Sequence, residues 1–209
     1  MKPIHCWLVA AAVAGIACGQ SDAGTGTPGP DTLITAEDSL TFLRPAPGAP
    51  GFGNLTVSFW AVKGVRSQVE LRYRALPGQS DSAVFVRFRV DPQSLRARPD
   101  GTPIADGDSV LITLSVDDST RLICKYEPEG LLFDSKKPAR LFIKYGEADP
   151  DLDHNGVVNA QDTALVQSFR IWRQEAQGEP WVGIPSTIAE DALEVEADIY
   201  GFTRYAVAY

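Results

Sequence analysis

The segment DLDHNGVVNAQD, residues 151–162, carries oxygen-bearing side chains at alternate positions around a central glycine. The residues at its positions 1, 3, 5, 7, 9 and 12 are Asp151, Asp153, Asn155, Val157, Asn159 and Asp162. Val157 would contribute its backbone carbonyl oxygen. Gly156 stands at position 6, where a sharp turn favours a residue that tolerates positive φ. Because crowded carboxylates repel one another, the pattern predicts a site for a cation held by oxygen atoms.

This spacing is that of an EF-hand-type calcium loop, which takes its ligands from the same six positions. Ligands that are all oxygen atoms favour calcium over zinc, and a flexible loop of this length favours calcium over magnesium. Three charged ligands predict modest affinity, with a dissociation constant on the order of 10⁻⁵ to 10⁻³ M. His154 should point into solvent, and Val158 should anchor the loop. The alternative is an Asx-rich turn that binds no metal.

Asp162 at the last position, in place of the usual glutamate, makes this loop similar to those of dockerins. Dockerins carry two such loops, each followed by a helix, whereas this chain has one copy. Thr163 stands where an apolar residue normally begins the helix, and residues 163–167 could form one helical turn. The resemblance is confined to the loop, so it does not imply cohesin binding.

The first 17 residues have the composition of a secretory signal peptide. Lys2 precedes an apolar run over residues 7–17, which is too short to span a bilayer as a permanent helix. The run ends in Gly-Ile-Ala-Cys, residues 15–18, which resembles a bacterial lipobox with glycine where leucine is usual. The alternative is ordinary signal cleavage nearby.

The lipobox resemblance implies that Cys18 is lipidated and anchors the protein in a membrane. Gly19 after the cysteine would favour sorting to the outer membrane or cell surface. Residues 18–31, mostly Gly, Ser, Thr, Pro and Asp, are expected to form a flexible tether between the lipid and the folded domain. The N-terminal sequence therefore predicts export and a lipid anchor.

Charge, cysteine content and histidine content each disfavour a functional class. The formal net charge of −8, without an evident basic patch, argues against nucleic acid as a partner. If Cys6 leaves with the signal and Cys18 is lipidated, Cys124 alone remains, so no intramolecular disulfide is expected. Cys124 lies in an apolar run and should be buried and unreactive. With His5 also lost, His154 is the single remaining histidine, which disfavours a zinc site or a catalytic triad.

From residue 32 onward, apolar residues recur with a period of two, most clearly over residues 84–90 and 193–199. Such strands place one face on a core and the other in water, which is typical of antiparallel sheets. Further strands are predicted over residues 55–62, 68–74, 110–116, 121–126, 139–145, 168–174, 181–184 and 204–208. Turn residues separate them, so we expect one all-β domain over residues 32–209, an antiparallel β-sandwich with the calcium loop inserted. A separate N-terminal hairpin before the break at 44–53 is the alternative.

The segments YEPEGLLFDSKKPARLFIKY, EPWVGIPS and EVEADIYGFTRYAVA resemble, in order and sequence, a bacterial β-sandwich module. That module is similar to the ZU (ZU-five) domain of ankyrins, netrin receptors and ZO proteins, and the resemblance covers residues 84–209. It implies a structural or interaction unit. Some ZU-containing proteins cleave themselves at a His-Phe-Ser triplet, matched here by residues 201–203. Thr203 could be a nucleophile, but Gly201 supplies no base, so self-cleavage is not expected.

These patterns favour a non-catalytic, lipid-anchored protein of the cell envelope. Its calcium-stabilised β-sandwich would serve as a structural or interaction module for a protein or glycan partner that the sequence does not identify. A glycan-active hydrolase is a remote alternative, because a glycosidase needs two positioned carboxylates. No pattern singles out two of the 27 acidic residues.

Carbohydrate binding through exposed tryptophans is the nearer alternative, with Trp60, Trp172 and Trp181 as candidates. Trp172 is out of phase with Phe169 and Ile171, so it could face solvent and pair with Trp181 across the turn between them. Cross-strand packing would place the same two side chains together without any ligand.

Overall fold

Two antiparallel sheets account for most of the secondary structure in residues 33–209, the part of the chain that this computed structural model describes. The strands there are β1 (Leu33–Thr35), β2 (Thr56–Val62), β3 (Ser67–Arg72), β4 (Val84–Val90), β5 (Leu95–Ala97), β6 (Ser109–Asp118), β7 (Ile123–Glu127), β8 (Leu132–Phe133), β9 (Ala139–Lys144), β10 (Arg170–Gln174), β11 (Trp181–Gly183), β12 (Ser186–Ala189), β13 (Glu194–Ile199) and β14 (Arg204–Ala208). The helices there are α1 (Ala160–Val166) and the 3-10 turns Glu37–Ser39 and Glu190–Ala192. The predicted signal peptide (1–17), Cys18 and the tether (18–31) lie outside this part.

The larger sheet has seven strands in the order β1-β11-β10-β14-β7-β6-β2. The smaller sheet has five, in the order β12-β13-β9-β4-β3, and β5 pairs with β8 in a separate ribbon. Every strand pair between residues 33 and 209 is antiparallel. The predicted all-β antiparallel class is therefore confirmed.

The inner faces of the two sheets pack on each other through large aromatic side chains. The ring of Phe88 on β4 lies 5.6 Å from the ring of Tyr126 on β7 and 6.4 Å from that of Phe59 on β2, measured between centroids. Phe202, which precedes β14, lies 5.4 Å from Phe88. Phe88 is completely buried, and burial of such a side chain contributes roughly 1.5–3 kcal/mol. Contacts of this kind hold the two sheets face to face.

A second, smaller core lies on the opposite face of the seven-stranded sheet. The N-terminal segment, residues 36–43, crosses this face, and the ring of Phe42 meets the indole of Trp181 edge-on at 5.1 Å. Thr41 and Tyr209 exchange two backbone hydrogen bonds, of 3.0 and 3.1 Å, which hold the segment beside β14. Because the segment is part of this sheet's packing, it does not form the separate hairpin considered as an alternative.

All the strands predicted from alternation are present, with ends displaced by at most two residues. The strands not predicted are β1, β5, β8 and β12, which are too short for alternation to be recognised. Helix α1 begins at Ala160 rather than at Thr163, because Asn159 caps its first turn. The acidic loop, residues 151–162, therefore leads directly into a short helix between β9 and β10.

Candidate metal centre

The acidic loop is held to the domain at its entrance and through the helix that follows it. Leu152 is 7% exposed and belongs to the main core, and Leu165 and Val166 of α1 pack against that core. The hydroxyl group of Tyr209 donates a hydrogen bond to the carbonyl oxygen of Leu152. The prediction that Val158 anchors the loop is wrong, since its side chain is 59% exposed. Leu152 has that role because its position faces the sandwich.

Three of the predicted ligands converge. Asp151, Asp153 and Asp162 can each place one carboxylate oxygen so that the three atoms lie within 4.8 Å of one another. Oxygen atoms that share one calcium ion at 2.3–2.6 Å are at most about 5 Å apart. The spacing of the carboxylates therefore fits a single calcium ion bound between them.

Backbone amides wrap the turn around these carboxylates. The N–H group of Asn155 donates to Oδ1 of Asp151 and to Oδ1 of Asp153, at 3.1 Å in each case. The N–H group of Gly156 donates to Oδ2 of Asp151 at 2.8 Å. The chain achieves this with positive φ at His154 (57°) and Gly156 (84°). His154 is exposed to solvent, as predicted.

Asp162 connects the start of α1 to the start of the loop. Its Oδ2 accepts a hydrogen bond from the N–H of Asn159 at 2.8 Å, and its Oδ1 accepts from the N–H groups of Leu152 and Asp153 at 2.7 and 3.2 Å. These amides, that of Asn159 first, hold the pKa of the Asp162 carboxyl below its ordinary value. The side chain is 2% exposed, so a buried, ionised carboxylate closes the loop.

The remaining predicted ligands lie near the carboxylates but have other partners. Oδ1 of Asn155 accepts from the N–H of Val157 at 2.8 Å, and the carbonyl of Val157 accepts from the side-chain amide of Asn159 at 3.0 Å. Oδ1 of Asn159 accepts from the N–H of Gln161 at 2.7 Å and caps helix α1. In EF-hand loops the ninth position often reaches the ion through water, which is compatible with a capping role.

Trp172 and Trp181 do not form a solvent-facing pair, so this candidate glycan site is wrong. Trp172 does point away from Ile171, as its phase predicts, but the N-terminal segment covers that face of the sheet. Trp172 is 6% exposed and Trp181 is fully buried. Their indole N–H groups donate to the carbonyl of Ala208 and to Oε2 of Glu37, each at 3.1 Å. Trp60, by contrast, is 62% exposed.

Other residues singled out in the sequence are buried. Cys124 is completely inaccessible, as predicted, and burial raises the pKa of its thiol far above the usual range. Thr203 is 5% exposed, and its hydroxyl donates to the carbonyl of Arg204 at 3.2 Å. Gly201 lies in the turn between β13 and β14, and its carbonyl accepts from the hydroxyl of Tyr205 at 2.6 Å. These contacts give Thr203 and Gly201 structural roles.

A polar cluster around Glu37 ties the N-terminal segment to the seven-stranded sheet. The Glu37 carboxylate accepts from the guanidinium of Arg121, the indole of Trp181 at 3.1 Å and the side-chain amide of Gln174 at 3.3 Å. Arg121 and Trp181 together lower the pKa of Glu37. No sequence pattern predicts this cluster, because its members come from distant parts of the chain.

The chain matches no protein-family model, no curated protein and no solved structure. Within residues 33–209, no helix has both the length and the apolar character needed to cross a bilayer.

Proposed function

We propose that this protein is an exported, lipid-anchored module of the bacterial cell envelope whose acidic loop binds one calcium ion. The observation that carries the proposal is the convergence of Asp151, Asp153 and Asp162, whose oxygen atoms come within 4.8 Å in a loop with EF-hand spacing. Asn155 and the carbonyl of Val157 are close enough in the chain to complete the ligand set.

The ion would act by stabilising the fold. It would remove the repulsion among three carboxylates, and it would order a loop whose entrance is tied to the core. The ring of Phe169, just before β10, lies 5.3 Å from Tyr145 and 5.5 Å from Tyr209, so the aromatic contacts continue from the loop to both sheets. Binding to the folded state alone would add roughly 0.4 to 2.7 kcal/mol at about 1 mM calcium over the affinity range expected for this loop.

The cell-envelope location rests on the N-terminal sequence. Cys18 would carry the lipid, and residues 18–31 would separate the domain from the membrane. The role as a non-catalytic structural or interaction module, with a protein or glycan partner, is supported by the all-β architecture and by the resemblance of residues 84–209 to ZU domains. Mass spectrometry of the N-terminal peptide tests the anchor. Cys18→Ser should abolish a diacylglyceryl modification, and Cys124→Ser should leave it unchanged.

Calcium binding is tested by titration calorimetry and thermal unfolding of the purified protein in EDTA and in millimolar calcium. We expect binding heat and a higher unfolding midpoint with calcium, both lost in Asp151→Asn and Asp153→Asn. Asp106→Asn removes the same charge from an exposed turn outside the loop, so it should behave like the native protein. Equal midpoints with and without calcium, and no binding heat, would leave the loop as an Asx-rich turn.

A further inference from the structure

The four edge strands of the two sheets differ in how they are protected against pairing with another chain. At one edge of each sheet, β1 has three residues and β12 has four. β3 carries Glu70 and Arg72, has a register shift between Leu71 and Arg72, and is partly covered where the N–H of Gly53 donates to the carbonyl of Arg72. Short length, charge, irregularity and cover are the usual means of protecting an edge.

Within residues 33–209, strand β2 is protected in this way only at its end, where the N–H of Val65 donates to the carbonyl of Val62 at 3.1 Å. Its seven residues, TVSFWAV, include no charged residue, proline or glycine, and all seven pair with β6 without a register shift. Within residues 33–209, β6 is the one strand that pairs with β2, at the end of the seven-stranded sheet. A long, regular, uncharged edge of this kind favours pairing with another strand.

The hydrogen-bonding pattern shows which backbone groups of β2 face outward. The carbonyl of Leu55 accepts from the N–H of Val116, and the N–H of Lys63 donates to the carbonyl of Asp108, so both residues face β6. Because the direction alternates along a strand, every second residue turns its N–H and C=O groups to the open edge. The residues in that phase are Thr56, Ser58, Trp60 and Val62, of which Val62 already uses its carbonyl to accept from the N–H of Val65.

Side chains beside this edge form a small exposed apolar surface. Trp60 and Leu111 lie opposite each other on β2 and β6, and they are 62% and 45% exposed. Next to them, the hydroxyl groups of Ser58 and Thr113 are joined by a hydrogen bond of 2.9 Å. An exposed indole beside an open strand edge is a typical anchor for a protein interface.

We propose that β2 is a docking edge for a second copy of this protein, paired antiparallel about a two-fold axis near Trp60. A two-fold interface requires a self-complementary surface, and an uncharged strand meets itself without bringing like charges together. The net charge of −8 makes two copies repel each other, so the uncharged strand β2 is a part of the surface where a second copy can approach with little repulsion. With Trp60 opposite its symmetry mate, Ser58 pairs with Val62. Trp60 and Ser58 turn both their N–H and C=O groups outward, and Val62 contributes its N–H group, since its carbonyl accepts from Val65.

The geometry also indicates the strength of the association. Two strands of this length, with one indole and one leucine from each copy, make a small interface, and such interfaces are weak. Dimerisation should therefore depend on concentration within the range accessible to ultracentrifugation. It should be the same in EDTA and in calcium, since β2 and the acidic loop lie in different parts of the fold.

Sedimentation velocity over a series of concentrations tests the proposal. We expect a dimer fraction that rises with concentration and is weakened roughly tenfold or more by Trp60→Lys, as for the loss of an interface anchor. Leu76→Lys introduces the same charge at another exposed apolar side chain, 45% exposed, and should have no effect. Ser58→Pro should also abolish pairing, because its N–H faces the open edge and proline is tolerated there. Ser58→Ala, which keeps the N–H, should still dimerise.

Disulfide trapping tests the register. Residues directly opposite each other in such a pair have Cα atoms about 5.5 Å apart, within the range for a disulfide. Trp60→Cys should therefore oxidise to a covalent dimer faster than Leu76→Cys, and the buried Cys124 should not compete. A monomer at every concentration, or a dimer unaffected by both Trp60→Lys and Ser58→Pro, would overturn the proposal. Equal trapping rates would overturn the register. A protein that stays monomeric and instead binds an extended peptide of another protein along β2 would also overturn the proposal of a second copy.

Discussion

The hydroxyl group of Tyr209, just after β14, donates a hydrogen bond to the backbone carbonyl of Leu152, inside the acidic loop. Tyr209 also exchanges backbone hydrogen bonds with Thr41 of the N-terminal segment. Tyr209 thus connects the acidic loop, strand β14 and the N-terminal segment that covers the seven-stranded sheet. Changes in the loop should consequently be felt in the stability of the whole domain.

Tyr209→Phe should uncouple the loop from β14 while keeping the aromatic ring. The carbonyl of Leu152 would lose its partner, so we expect the free energy of unfolding in EDTA to fall by about 0.5–1.5 kcal/mol. The increase caused by calcium should also shrink, because the loop would be less firmly held. Urea unfolding with and without calcium measures both effects. An unchanged response to calcium would show that Tyr209 does not transmit it.

Asp162 and Asp153 should differ in how much they contribute to stability in the absence of calcium. In Asp162→Asn, an NH₂ group replaces one of the two oxygen atoms that accept from three backbone N–H groups. At least one of these N–H groups then loses its acceptor, so the variant should have a lower unfolding midpoint even in EDTA. The hydrogen bonds to Asp153 come from the backbone and the side chain of Asn155 alone. Asp153→Asn should therefore disturb the loop less and lower the unfolding midpoint chiefly in calcium. Thermal unfolding of both variants in EDTA makes the comparison. Equal midpoints for the two variants would contradict the closing role given to Asp162.

Glu37 should make the domain sensitive to acid. Its pKa is lowered in the folded state, first by the hydrogen bond from Arg121 and then by that from Trp181. Because the folded pKa lies below the unfolded one, Glu37 contributes stability above the unfolded pKa, near 4.5, and loses it as the pH falls through the folded pKa. Glu37→Gln should thus be less stable than the native protein at neutral pH.

The same variant should show a smaller loss of stability between neutral and acid pH. Glu129→Gln removes a carboxylate that is 59% exposed and paired with Lys125, so it is a suitable control. Urea unfolding across this pH range is the measurement, with Trp181 emission as a local probe of the cluster. Parallel pH profiles for Glu37→Gln and the native protein would argue against this contribution.

Acrylamide quenching should separate the tryptophans of the folded domain. Trp60 is largely exposed, whereas Trp172 and Trp181 lie beneath Phe42. We expect Trp60→Phe to remove most of the quenchable emission of the folded protein. Phe42→Ala should then make the emission of the remaining indoles more quenchable, because it opens the cover over them. Strong quenching in Trp60→Phe alone would mean that this cover is open in solution.

Local sequence predicts the parts of the fold in which one strand meets both the core and solvent. Alternation predicts β4, residues 84–90, with the bounds that the structure has. The bounds of β14, residues 204–208, are also predicted, although all five residues are buried because the strand lies between the two cores. In the loop, ligand spacing predicts the convergence of Asp151, Asp153 and Asp162, since their separation along the chain determines the turn. The spacing of the ligands does not predict that Val158 is exposed or that Asn159 caps a helix. Both features depend on how α1 packs against the two sheets.

Long-range packing explains the remaining differences. The phase of Trp172 is visible in the sequence, but its cover comes from Phe42, far away in the chain, and no local pattern connects the two. Strands β1, β5, β8 and β12 have two to four residues each. At that length, a strand is defined by its partner rather than by its own alternation.

The position of β14 has a consequence for how the protein is made. β14 lies between β10 and β7 in the middle of the seven-stranded sheet, although its residues, Arg204–Ala208, come after those of every other strand of that sheet along the chain. Until β14 has been synthesised, β10 and β7 lack the strand that pairs with both of them, so this sheet can be completed only when β14 arrives. Such late, non-local pairing slows folding. A chain that must cross a membrane unfolded would benefit from that delay, and one interrupted before Arg204 would present two adhesive edges to its neighbours.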